Sequence, residues 1–169
     1  MPIIAGDIDF RLSGGGSNSD VDASIGGVKS SVELVDATLH NLFDIVSSAE
    51  ATSGESEYRC IYVHNSHGSL TLQNAVVWIS TDGSGADTDI AIALAGEGVN
   101  GTAETPADED TAPSGESFTT PTTEGGALAI GDIPAGQHQA IWIRRTVSAA
   151  ASAATGLNAT LTVKGDTAA

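Results

Sequence analysis

The chain has 169 residues, with 22 acidic side chains against 6 basic ones and a formal net charge of −16. That length allows one domain plus an extension, enough to bury a real core. The charge argues against nucleic-acid binding, because the counterion release that drives it needs clustered Lys and Arg. Aromatics are only 4%, so the core has to come from Ile, Val, Leu and Ala. No run of about 18 apolar residues occurs, so no membrane span is expected. The start, MPIIAGDIDFRLSGG, lacks the basic region and apolar run of a secretory signal.

Residues 1–28 read as an extended, Gly/Ser-rich N-terminal arm, ahead of a β-sandwich domain over 29–169. Ile3-Ile4 and residues 8–12 have the composition of short strands. The Gly14-Gly15-Gly16 run and the serines after it cost too much chain entropy to order unaided. The arm is therefore either a flexible tail or a strap ordered on a partner, with Phe10, Arg11 and Leu12 as its anchors.

Residues 29–48 carry two signals. Val32 and Leu34 suggest a strand, while Leu39, Leu42, Phe43 and Val46 recur at helical spacing. A helix of about two turns is marginal alone, so a strand followed by a packed irregular segment is expected. Residues 49–56 read as an acidic loop.

Residues 58–64 and 70–79 read as two strands of a central hairpin, joined by Asn65-Ser66-His67-Gly68. They hold both tyrosines, one tryptophan and the single cysteine. One cysteine permits no intrachain disulfide. Cys60 is expected as a buried hydrophobe, since a catalytic thiol wants a cationic neighbour and Arg59 points to the other face.

Asp82-Gly83 marks another hairpin turn. In 89–95, Ile90, Ile92 and Leu94 share one face, and Ala91, Ala93 and Ala95 the other. Two apolar faces suit a strand covered on both sides or beside a subunit contact. Residues 96–124 form a long polar stretch with three of the five prolines, and Phe118, its only aromatic, is the residue expected to pin it to the sheet. Loops beyond about 15 residues are usually functional or disordered. Strands are expected at 127–133, 137–148 and 157–164, the last with Leu157, Ala159, Leu161 and Val163 inward. The whole predicts an all-β antiparallel sandwich, jelly-roll or Greek-key-like, of about seven or eight strands.

Chemistry is sparse. His64 and His67 flank a turn without the remaining ligands of a zinc site. Asp82, Asp87 and Asp89, with the 108–110 run, are the calcium candidates, but EF-hand spacing is missing and solvated acidic loops compete. There is no G-x-S-x-G elbow and no P-loop. No catalytic residue, cofactor or metal site is expected, and the chain does not read as an enzyme. Arg144 and Arg145 lie in one strand beside Trp142. They serve either internal ion pairs or contact with an acidic partner, since Arg and Trp are enriched at interface hot spots.

FRLSGG near the start, EYRCIYVHN and LTLQNAVVWI in the middle, and IGDIPAGQHQAIWIRRTV near the end carry a resemblance. They resemble a family of small virion structural proteins of tailed bacteriophages and prophages, from about residue 8 to the terminal KGDTAA. The resemblance implies a protein made in the bacterial host cytoplasm and placed in the virion, with the capsid surface favoured. The leading expectation is a capsid decoration or cement protein. It would bind the outer shell, stabilise contacts between major capsid protein subunits, and act as a homo-oligomer, a trimer above all. Multivalent contacts under closed symmetry suit that role. The alternatives are a tail-associated or baseplate protein, or a carbohydrate- or host-surface-binding module assisted by calcium.

Overall fold

The computed structural model describes residues 1–167; the last two residues of KGDTAA lie outside that range. Seven strands form two antiparallel sheets packed as a sandwich. The strands are β1 (Ile8–Leu12), β2 (Glu55–Asn65), β3 (Leu72–Thr81), β4 (Thr88–Leu94), β5 (Leu128–Ile133), β6 (His138–Val147) and β7 (Thr160–Thr167). One sheet has the order β1-β2-β6-β4, the other β5-β3-β7. A short α-helix, α1 (Ser48–Ser53), precedes β2 where a loop was expected. Ser47 Oγ accepts from the Glu50 amide and the Glu50 carboxylate accepts from the Ser47 amide, a reciprocal cap that starts the helix.

The core lies between the sheets. Ile61 and Val63 of β2, Ile141 and Ile143 of β6 and Ile92 of β4 meet Val77 and Ile79 of β3 and Ile133 of β5. These positions alternate along each strand, as a face buried on one side requires. In β3 the phase slips: Asn74 takes φ 50° and the register with both neighbours shifts around it. The bulge lets Leu72 and Ala75 both point inward, which strict alternation forbids.

The expected central hairpin does not form. β2 and β3 lie in opposite sheets, and from β2 onward every successive strand changes sheet. Both edges of β2 are already taken, by β1 over residues 61–65 and by β6 over residues 55–64. No edge is left for β3, so the chain crosses over. The Asn65 side chain is buried and donates to the Leu70 and Ile133 carbonyls at 2.9 and 2.8 Å, fixing the crossover. The Asp82-Gly83 turn likewise leads between sheets.

The last strand begins later than expected. Leu157 is 46% exposed, and pairing with β3 starts at Thr160 against Thr81. The inward alternation then runs on through Leu161, Val163 and Gly165. The Leu72 side chain sits directly on Gly165.

The expectation of an extended arm over 1–28 is also corrected. β1 is a full strand of the four-stranded sheet, and residues 13–34 fold back over it. The chain-entropy cost is met by buried serines acting as backbone surrogates. Ser13 Oγ donates to the Cys60 carbonyl at 2.7 Å and accepts from the Gly26 amide at 3.0 Å. The Ser24 carbonyl accepts from the Cys60 amide, and Ser30 donates to Asn18. Gly26 takes φ 95°, and a side chain there would run into the Glu104 carbonyl.

Candidate functional site

The outer face of the four-stranded sheet is covered rather than open. Residues 13–34 and the 96–124 stretch lie over it and close a second apolar layer around Cys60, Tyr62, Ala93, Ala95, Ala103, Ala140 and Trp142. This explains the two apolar faces of β4. Phe118 pins the long stretch by packing edge-on to Tyr58, with centroids 5.5 Å apart. Tyr62 Oη donates to the Gly27 carbonyl at 2.6 Å and accepts from the Ala103 amide at 2.9 Å, tying both covering segments to one strand. Burial pushes the Tyr62 hydroxyl up to about 12 and the Cys60 thiol upward as well. Cys60 is therefore a packed hydrophobe held as a neutral thiol. Trp142 is fully buried beside it, whereas Trp78 is half-buried on the outer face of β3.

A buried charged cluster closes one end of the sandwich. Arg59 is fully buried on β2 and ion-pairs with Glu109 of the long stretch and, at 3.5 Å, with Asp22. Arg145 donates through Nε to Glu57 at 2.6 Å and through Nη1 to the Asp44 carbonyl at 2.7 Å. Both guanidiniums lie over the Phe43 ring, at 5.5 and 4.9 Å from its centroid. Stacking of this kind suits desolvated guanidinium. Arg144 reaches Asp89 at 3.5 Å and lies 5.3 Å from the Phe118 centroid. The two arginines weighed as partner contacts are thus both engaged within the fold.

The three anchors of the expected arm sit in β1. Leu12 is buried and Phe10 packs on the core. Arg11 is held by Asp9 at 2.8 Å and Glu33 at 3.0 Å. Burial alone would raise the Asp9 carboxyl, but the Arg11 pair and His64 outweigh it and hold it below the usual range. His64 is itself lowered, by burial first and then by the Lys29 charge.

The calcium candidates turn toward their own neighbours. Asp82 accepts from the Ser84 amide at 2.9 Å, Asp87 from the Ser152 amide at 2.9 Å, and Asp89 faces Arg144. Glu109 and Asp108 are used by Arg59 and Thr111. Among the described residues no three His, Cys, Asp or Glu side chains converge as a metal site. His67 Nδ1 accepts from the Ser69 and Leu70 amides, and His138 packs edge-on to Tyr62.

Two surfaces remain. The 35–45 loop presents Val35, Leu39 and Ile45 at 64, 79 and 70% exposure, with Ala37 and His40 at positive φ. A groove of about 320 Å³ lies between β1 and β7. Sequence reading missed both. Leu39 carried a helical signal, but the helical partners Leu42 and Phe43 turn inward while Leu39 does not. Among the described residues no helix is long and apolar enough to cross a membrane. Comparison with family models, curated proteins and solved structures found no match.

Proposed function

We propose that this chain is a structural protein of a tailed-bacteriophage particle, and specifically a capsid decoration or cement protein acting on the outer shell as a trimer. One observation carries the reading: three large, strongly exposed apolar side chains, Val35, Leu39 and Ile45, belong to the one 35–45 loop. Single exposed apolar residues are ordinary, whereas three on one short loop offer apolar surface to a partner protein. The scaffold beneath suits repeated contact. Its outer layer is pinned by Tyr62, Arg59 and Phe118, so the loop is presented from a rigid body. Its thiol and arginines are occupied in packing and ion pairs, which supports a role in assembly over catalysis. Because residues 1–28 belong to the fold, the stapling role envisaged for an arm passes to this loop.

The test uses pre-formed shells of the major capsid protein. Replacing Val35, Leu39 and Ile45 together by Ser is expected to weaken binding by about tenfold or more, with the melting temperature preserved. Full-strength binding by that variant would remove the loop from the mechanism. Label-guided electron microscopy separates shell from tail placement.

A further inference from the structure

The two sheets are unequal, and the smaller one keeps an open edge at β7. The four-stranded sheet is extended along β1 by residues 30–34, where Leu12 N–H donates to Val32 and Leu34 N–H donates to Phe10, at 3.1 and 2.8 Å. The other sheet has three strands and ends at β7. Among the described residues, no main-chain hydrogen bond reaches residues 161–166 from outside β3.

Beside that edge runs the groove between β7 and β1, lined by Ile4, Ile8, Phe10, Leu72, Val163 and Lys164, the last neutralised by Glu124. Ile4 is 64% exposed there. An unpaired edge supplies the hydrogen-bond template for strand addition, and an apolar groove supplies seats for alternate side chains.

We propose that β7 receives an added strand from a partner protein: an extended segment, apolar at alternate positions with Lys or Arg between them. Its apolar residues sit over Phe10, Ile8 and Val163 and complete the second sheet opposite β1. Charge selects the partner. Of the six basic residues, Arg11, Arg59, Arg144, Arg145 and Lys164 are already ion-paired within the chain. The surplus carboxylates stand at the surface. Asp36 borders Phe10 in the depression next to the groove, beside Glu33, which shares Arg11 with Asp9. A second copy brings the same surplus of negative charge and is the poorer occupant. The inference stands on edge geometry and charge, and does not depend on where the chain sits in a particle.

The experiment titrates the full chain with three short synthetic peptides. One alternates Val and Lys, one alternates Val and Glu, and the third is the Val/Lys peptide interrupted by Pro. Amide hydrogen exchange is read by NMR. The Val/Lys peptide is expected to slow exchange at residues 161–164. The Glu and Pro peptides should bind about tenfold more weakly or worse, as like charge and a lost ladder require. Ile4→Arg, at an already exposed position, is expected to weaken the Val/Lys peptide similarly without changing the melting temperature. Protection at the 35–45 loop instead, equal binding by the Glu peptide, no protection by any peptide, or dimerisation through β7 without peptide would each overturn the proposal.

Discussion

Glu57 and Arg145 face each other directly across the β2–β6 register, and the Glu57 carboxylate accepts from Arg145 Nε at 2.6 Å. Both side chains are buried, at 6 and 10% exposure. Burial raises the Glu57 carboxyl from its ordinary range, and the Arg145 charge works against that rise. Removing one end of such a pair leaves the other charge uncompensated. Glu57→Gln is therefore expected to cost about 3 kcal/mol in urea denaturation, the low end for a buried pair because Asp44 still faces the guanidinium. A cost within the noise of an exposed pair would show that the end of the sandwich is wetter than described.

The Tyr62 hydroxyl hydrogen-bonds the backbone of both covering segments, at Gly27 and Ala103. Tyr62→Phe keeps the ring and strands a buried Ala103 amide and the Gly27 carbonyl. The expected loss is about 1–3 kcal/mol, accompanied by faster hydrogen exchange at the Ala103 amide. Unchanged exchange there would mean that the 96–124 layer is held without this hydroxyl.

Glu55 gives the pH dependence. Burial, and then the carboxylates of Glu50, Asp110 and Glu57, push it up from 4.5 to about 7. The folded state thus binds a proton that the unfolded chain releases. Stability contributed at this position is present below about 4.5, falls as pH rises toward 7, and is level above. Glu55→Gln is expected to raise the melting temperature at pH 8 and leave it unchanged at pH 4. An equal effect at both pH values would contradict the assignment.

The strands were legible because burial imposes alternation that residues such as Ile90, Ile92 and Leu94 display plainly. The β-sandwich class followed from their number and spacing. The packing of Phe118 against the sheet could be read from its isolation in a polar stretch. The crossover between β2 and β3 could not, because a turn such as Asn65-Ser66-His67-Gly68 permits reversal within a sheet or between sheets. The choice belongs to β1 and β6, which occupy the edges of β2 from far along the chain. Residues 13–34 misled for a related reason: Gly and Ser signal flexibility locally, yet Ser13 and Ser24 find partners on a strand some 40 residues away. Arg59 was placed only on the face opposite Cys60. Its burial depends on Asp22 and Glu109 arriving from two separate segments. The β7 groove is a product of unequal strand number in the two sheets, which no local pattern encodes.

The function proposed for this chain is that of a structural component of a phage particle. Reconstruction of purified particles carrying a label on this chain tests it most directly. The predicted result is the two-sheet sandwich at regular, symmetry-related positions on the outer shell, with the 35–45 loop against the major capsid protein. Particles that are complete and infectious with this chain missing from both shell and tail would contradict it.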